Sequence, residues 1–329
     1  MFVRLFKSSQ PMIAAFLVVP VIFASFASYK WNFSTLPPNG MPFYDVLYST
    51  FASFPSSVRV LLVSLLLFQQ AIHLNYVLNK HELLFKKSWM PALMYIIIGS
   101  LLPPFQWFHP MIFVNTLLIF ALDKIFQLYK NDTPLKIDFD IGFIIGLASM
   151  FYLPLLVFIF FFGSALILLR QFSWRDWVTG IIGVLMPLFF AFCYFFLTDH
   201  LMLLYEKIVL SGIRRPKSLD NFFPKGYLFS ILLISFISLL SVFKQQSNYF
   251  KNVTKTRLNH LLFILFAITG TITSFFTETP MLYRFYILAI PMSVWAAYFF
   301  LSMKKQWLSE LIMLLLISGW VYNYFITAM

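Results

Sequence analysis

Long apolar runs separated by short basic loops fill most of this 329-residue sequence. Sixty per cent of the residues are hydrophobic, 11 per cent are charged, and the mean hydropathy is +0.83. A helix of about 20 apolar residues is long enough to cross the hydrocarbon core of a bilayer. Because eight or more runs of this kind follow one another, we predict an all-α, polytopic transmembrane helical bundle.

The longest run, residues 141–169, contains 29 residues without a charge. One straight helix of that length would reach roughly 43 Å across a core of about 30 Å, and fitting it would need a tilt of about 46°, outside the usual range of roughly 0–40°. Pro154 disfavours helical geometry in the residues just before it, which suits a turn. We therefore predict two short antiparallel spans, with one strongly kinked helix as the alternative.

The distribution of Lys and Arg favours the same interpretation. With two spans in residues 141–169, one side of the membrane holds 16 of the 24 basic residues, whereas one span would leave 14 there. Cytoplasmic loops are enriched in Lys and Arg, so the chain is predicted to have eleven spans and a cytoplasmic N-terminus. The predicted spans are 12–29, 58–79, 89–103, 110–128, two within 141–169, 177–197, 227–243, 260–276, 281–302 and 307–327.

The same basic residues bear on location and partners. Lys and Arg outnumber Asp and Glu by 24 to 12, but they cluster at the ends of apolar runs, where they determine the orientation of spans in a membrane. We therefore expect membrane lipids as partners and no nucleic acid. The first run, Met12–Ala27, is expected to stay as the first span. Cys193 is the only cysteine, which excludes a disulfide framework. We expect one membrane domain over 1–329.

Two predicted far-side loops are longer than a simple turn. The first, Lys30–Ser57, contains a single apolar face from Phe43 to Phe54, which predicts a helix over about Pro42–Phe54 lying on the membrane surface or on the protein's outer rim. Asp45 falls outside that face and should meet water or a cleft. The second, Thr198–Gly226, carries five basic residues despite its predicted side. Its Arg214 and Arg215 either bind a phosphate or are attracted to anionic headgroups.

Several segments resemble the GT-C superfamily of membrane glycosyltransferases, which use polyprenyl-phosphate-linked sugars or other lipid-linked substrates. These segments are the first far-side loop with Asp45, then PALMYIIIGSLLPPFQWFHPMIFVNTLLIFALDKIF, and finally DIGFIIGLASMFYLPLLVFI. The resemblance covers about residues 1–200. The remaining residues, 201–329, form a far-side loop and the C-terminal spans. The chain is also similar to a family of bacterial inner-membrane proteins marked by GLASxFYxP and RxFxWRDW, here RQFSWRDW at Arg170–Trp177. That second resemblance implies no activity.

The GT-C resemblance implies that a carboxylate in the first far-side loop is the catalytic acid or base, and it maps onto Asp45. The pair of acids, or acid beside His, common in such enzymes is absent, since Asp45 is flanked by Tyr44 and Val46. The candidate substrate-binding residues are charged or polar groups predicted on the same side: Arg284, Arg214, Arg215, Glu278, Asp199 and His200. The histidines show no metal-ligand spacing, and no phosphate-binding glycine loop is present, so we expect no metal and no cofactor.

Two rival functions stay open at this stage. A non-catalytic subunit or scaffold of a cell-envelope assembly or secretion complex, with envelope proteins as partners, fits the scarcity of far-side acids. A transporter fits less well, because few charged residues lie inside the predicted spans. The second span ends in FQQAIHLNYVLNK, where Gln69 and His73 share one helix face and further polar groups are added by Gln70, Asn75 and Asn79. These polar groups either hydrogen-bond to other helices or line a proton or substrate path.

Overall fold

The computed structural model describes residues 2–30, 41–129, 134–170, 173–205, 227–247, 254–276 and 282–326, and every regular element in these ranges is a helix. The α-helices are α1 Phe2–Phe6, α2 Ile13–Phe16, α3 Val18–Lys30, α4 Pro42–Ala52, α5 Ser56–Lys80, α6 Met90–Gly99, α7 Pro110–Gln127, α8 Pro134–Ser149, α9 Phe158–Leu169, α10 Trp174–Leu197, α11 Leu201–Tyr205, α12 Leu228–Ser247, α13 Thr254–Ser274, α14 Ala289–Ser302 and α15 Gln306–Ile326. Three 3-10 helices, Pro103–Gln106, Leu153–Val157 and Leu282–Leu288, complete the described elements. We call the last of these the arginine helix, after Arg284.

Eight helical segments in the described ranges are long and apolar enough to cross a membrane. They are Ile13–Lys30, Ser56–Lys80, Pro110–Gln127, Trp174–Leu197, Leu228–Ser247, Thr256–Ser274, Leu282–Ser302 and Gln306–Phe325. Two shorter apolar segments, Met90–Gly99 and Leu153–Leu169, accompany them. The chain is therefore a multi-pass helical membrane protein, while the number of eleven spans and the orientation in the membrane stay predictions.

The uncharged run of residues 141–169 is broken into two helical arms. α8 ends at Ser149, Tyr152 is extended with φ −153° and ψ 102°, and a 3-10 helix with Pro154 in its first turn leads into α9. The start of α8 and the end of α9 lie together, because Asp138 of α8 interacts electrostatically with Arg170, the residue after α9. The two arms therefore run in opposite directions, which is the geometry of a hairpin.

Glycines allow α8 and α10 to pack backbone against backbone. A methyl group on Gly142 would overlap the carbonyl of Gly180, and one on Gly146 would overlap the carbonyl of Val184. On the other side of α10, Gly180 accommodates the ring of Phe162 from α9. Small residues at such contacts let membrane helices approach closely, so this helix trio is held by van der Waals packing.

The loops and helix ends gather at two ends of the bundle. At one end, here called the Asp123 end, Lys80 and Lys124 form ion pairs with Asp123 and Asp140, and the Val3 amide donates to Glu310 at 3.1 Å. At the other, the Asp45 end, side chains that include three tyrosines donate to backbone carbonyls of distant segments. These bonds are Tyr44 to Phe108 at 3.2 Å, Tyr152 to Thr273 at 2.8 Å and Tyr324 to Ser100 at 2.9 Å.

Candidate functional site

α4 brings Asp45 to its end of the bundle. The helix starts after extended Met41, with Pro42 in its first turn, where a missing amide proton and a fixed φ are tolerated. Tyr44 is fully buried, stacks on Phe108 with ring centroids 5.9 Å apart, and donates its hydroxyl proton to the Phe108 carbonyl. Phe51 also contacts Phe108, at 4.8 Å. The predicted helix is thus confirmed over Pro42–Ala52, and its aromatic face packs on the protein's own rim.

Asp45 lies one residue beyond this buried contact. Its side chain is half-buried, and its backbone amide donates to the Met41 carbonyl at 2.9 Å, which begins the helix. Burial raises the pKa of the neighbouring Tyr44 hydroxyl, and the negative charges of Tyr283, Tyr48 and Asp45 would add to that shift. The Tyr44 hydroxyl is therefore neutral, and it lies within electrostatic range of both Asp45 and the arginine helix.

His109 joins this cluster from the start of α7. It is fully buried, and its Nε2 lies 3.2 Å from the Phe105 carbonyl, so the Nε2 proton is donated there. Its ring stacks on Tyr283 at 5.2 Å and meets Tyr286 edge to face at 5.3 Å. Burial lowers the pKa of His109 to about 3, so the imidazole is neutral at physiological pH.

Arg284 lies next to Tyr283 on the arginine helix and is 1% exposed. Its Nη1 donates to the carbonyl of Ser274 at 3.5 Å, and the Ser274 hydroxyl donates back to the Arg284 carbonyl at 3.3 Å. Ser274 is the last residue of α13, where the free carbonyls and the helix dipole favour a cation. The guanidinium is thus buried against a helix end, whereas the sequence analysis gave Arg284 as a candidate substrate-binding residue.

An apolar cavity of about 200 Å³ adjoins the arginine helix. Leu282 and Phe285, on either side of Arg284 in sequence, line it together with residues from the end of α6, the loop after it and α12. Among these are Leu101, Phe105, Ile231 and Ile234. A buried cation and an apolar cavity therefore lie on the same short helix.

A polar network beneath this cluster ties four helical segments together. The Gln70 side-chain amide donates to the Ile112 carbonyl at 2.6 Å and to the Thr116 hydroxyl at 2.7 Å, while its oxygen accepts from Tyr95 at 2.9 Å and Tyr286 at 3.0 Å. Asn115 donates to the Tyr286 carbonyl at 2.9 Å. The network fixes the arginine helix against α5, α6 and α7. Of the polar residues that the sequence showed in the second span, Gln70 is thus one that hydrogen-bonds to other helices.

The remaining candidate residues are not brought to this cluster in the described ranges. Asp199 and His200 are exposed at the end of α10, where Asp199 has a φ of 55° and ends the helix. Neither makes a hydrogen bond or ion pair with Asp45 or Arg284. Arg214, Arg215 and Glu278 lie outside the described residues. Within the described ranges, no group of three His, Cys, Asp or Glu side chains is placed to hold a metal ion.

Residues 41–329 match the model of a protein family described as a family of unknown function, DUF6427. The chain belongs to this family. The matched region begins just before α4 and includes every element of the site described above.

Among solved structures, the DUF6427 chain is similar to an oligosaccharyltransferase of Archaeoglobus fulgidus, crystallised with a tethered acceptor peptide that contains an NVT sequon. The two share 12% sequence identity with a TM-score of 0.44, over 88% of this chain and 46% of the archaeal protein. This chain thus spans about half the length of that relative. No curated protein matches the sequence.

Proposed function

We propose that this protein is a membrane transferase of GT-C-like architecture, which moves a sugar or similar group from a lipid-phosphate-linked donor to an acceptor hydroxyl. The reaction would take place at the Asp45 end, on the periplasmic face of a bacterial inner membrane. The proposal rests on the residues at that end of the bundle: a half-buried carboxylate, a buried guanidinium, and an adjoining apolar cavity.

The arginine helix carries the observation that most favours a lipid phosphate. Such a ligand has an apolar chain and an anionic head, so it needs apolar walls and a cation side by side. Leu282 and Phe285 supply part of the apolar wall. Arg284 is on the same short helix but is not one of the residues that line the cavity, so its guanidinium, whose planar fork matches phosphate oxygens, would reach the phosphate by leaving the Ser274 carbonyl. Arg214 or Arg215 would supply a second cation.

Asp45 is the proposed acid or base. It would take the proton of an acceptor hydroxyl that approaches to about 3 Å, while Arg284 offsets the negative charge on the departing phosphate. Two contacts support this pairing: Tyr44, next to Asp45, donates to the Phe108 carbonyl, and Tyr283, next to Arg284, stacks on His109. Glu278 would contact the polar part of the substrate, whereas Asp199 and His200, exposed at the end of α10, are not part of the proposed site.

A scaffold or non-catalytic subunit of an envelope complex is the second candidate. The observation that favours it is the 1% exposure of Arg284 and its hydrogen bond to the Ser274 carbonyl. These contacts give the guanidinium a structural role that needs no ligand.

Complementation of a deletion phenotype separates the two candidates. Asp45→Asn preserves shape and removes the base, so an enzyme should lose at least about 100-fold in activity and fail to complement. Glu82→Gln is the matched control, because Glu82 is an exposed carboxylate at the opposite end. Membrane abundance is measured for each variant. Full complementation by Asp45→Asn at normal abundance would refute the enzymatic proposal and favour the scaffold.

Ligand-dependent thermal unfolding in detergent tests the phosphate site without a known acceptor. A polyprenyl phosphate should raise the midpoint of unfolding, and the corresponding polyprenol should do so much less. Arg284→Lys keeps the positive charge but loses the bidentate fork, so it should weaken the response to the phosphate and leave the response to the alcohol unchanged. Equal responses to both lipids would exclude Arg284 as a phosphate-binding residue.

A further inference from the structure

A buried acid lies at the Asp123 end, far from the proposed transfer site. Asp138, in α8, is fully buried, and among the described residues neither of its carboxylate oxygens has a hydrogen-bond partner. An ionised carboxylate in such a place would lose its hydration without gaining a hydrogen bond, at a cost of several kcal/mol or more. Burial therefore strongly favours the protonated, neutral form.

The charged neighbours of Asp138 act on it unequally. Asp176, at the start of α10, is 4% exposed and repels a negative charge on Asp138, while Arg170 after α9 attracts one. The Arg170 Nη1, however, lies 4.0 Å from the Asp176 carboxylate. Its positive charge therefore offsets the charge of Asp176 before it offsets a charge on Asp138. On α8 itself, Lys136 is exposed and Asp140 is paired with Lys124 of α7 at 2.7 Å. With burial as the largest cause and Asp176 next, the pKa of Asp138 is raised to about 7.

We propose that Asp138 is a reversible proton-binding site, which holds a proton between α8 and α10 next to the ion pair of Asp176 and Arg170. The contact around it is rigid, because Gly142 and Gly180 bring the two helix backbones into direct contact a turn further along. Loss of the proton would leave two carboxylates in one buried contact. Proton occupancy is thereby linked to the packing of α8 on α10.

A lipid-soluble carbodiimide detects such a group in the intact protein. The carboxyl O–H adds across one N=C bond of dicyclohexylcarbodiimide: the oxygen bonds to the central carbon, the proton moves to nitrogen, and the adduct rearranges to a stable N-acylurea. Mass spectrometry then shows a gain of one whole reagent molecule at Asp138. Labelling should fall by about tenfold per pH unit above the pKa, so it should be strong at pH 6 and nearly absent at pH 8.5.

Two variants and one residue serve as controls. Asp138→Asn removes the label and, as a neutral isostere, keeps the fold. Asp140, which is paired with Lys124, stays unlabelled in the wild-type protein. Asp176→Asn removes the repulsion and frees Arg170 to pair with Asp138, so labelling at pH 7 should decrease several-fold.

Thermal unfolding provides a readout that does not depend on access of the reagent. Because the folded protein binds the Asp138 proton more tightly than the unfolded chain, whose Asp pKa is about 3.9, stability should fall as pH rises from about 4 to about 8. Asp138→Asn should flatten that slope between pH 5.5 and pH 8. An unlabelled Asp138 with a flattened slope supports the proposal. An unchanged slope in Asp138→Asn, or labelling that does not vary with pH, overturns it.

Discussion

The Gln70 network offers a direct test of what holds the arginine helix in place. Gln70 is fully buried, and its side chain makes four hydrogen bonds to three neighbouring segments. Gln70→Leu introduces an apolar side chain of similar size and leaves the hydroxyls of Tyr95 and Tyr286 without this acceptor. Hydrogen bonds between membrane helices contribute about 0.6 kcal/mol on average and up to about 1.7 kcal/mol. Four such bonds predict a loss of roughly 2–4 kcal/mol in the free energy of unfolding.

Gln69→Leu is the matched control on the same helix. Gln69 is half-buried, and in the described part of the chain its side-chain oxygen accepts no hydrogen bond, so this substitution should change the free energy of unfolding by less than about 0.5 kcal/mol. Reversible unfolding in mixed micelles, followed by circular dichroism, measures both. If Gln70→Leu and Gln69→Leu have equal effects, the network does not stabilise the fold.

A double variant distinguishes the loss of a favourable hydrogen bond from the cost of leaving a buried polar group without a partner. Tyr286→Phe alone removes one bond and should cost about 1 kcal/mol. Added to Gln70→Leu, it removes a hydroxyl that already lacks this acceptor, so the double variant should be less destabilised than the sum of the two single variants. Strict additivity would contradict the direct bond between these side chains.

Three further predictions concern packing, pH and sidedness. Gly142→Leu should separate α8 from α10 and lower the yield of folded protein in detergent gel filtration, whereas Gly319→Ala, which meets the Ser230 hydroxyl at 3.1 Å, should be tolerated. Because the pKa of His109 is lowered to about 3, the folded side chain stays neutral while the unfolded one takes up a proton below about pH 6.5. Stability should therefore fall as the pH is lowered from 6.5 toward 3, and His109→Gln should reduce that loss in thermal melts. In a Cys193→Ser background, cysteines at Ser53 and Glu82 should react with an impermeant maleimide from opposite sides of the membrane; reaction from the same side would refute the two-ended arrangement.

Local signals in the sequence were sufficient for several elements. The break at Pro154 follows from two short-range facts, the length of the uncharged run and the restriction that proline places on preceding residues. α4 follows from a proline suited to a helix start and one apolar face. Both depend on backbone chemistry within a few residues, which explains why no knowledge of the tertiary packing was needed.

The residues that organise the site depend on packing between distant segments. Spacing paired Gln69 with His73, yet Gln70 is the residue that faces α6, α7 and the arginine helix, because tertiary contacts decide which side of α5 is covered. Arg284 is a candidate substrate-binding residue in the sequence, and its burial against the end of α13 follows from a contact with Ser274. The sequence pattern did not indicate Asp138, because the burial of this side chain depends on α10 lying against α8.

The two ends of the bundle are held by different chemistry, and this difference bears on function. Ion pairs between described residues occur at the Asp123 end, for example those of Asp123 with Lys80 and of Asp140 with Lys124. At the Asp45 end, α4 is held largely by aromatic contacts and a hydrogen bond from Tyr44. Aromatic contacts tolerate small shifts better than a bidentate ion pair does, since dispersion is not directional. On the proposed function, a ligand that reaches Arg284 would displace side chains held by such aromatic contacts, while the proton proposed at Asp138 lies at the end that carries these ion pairs.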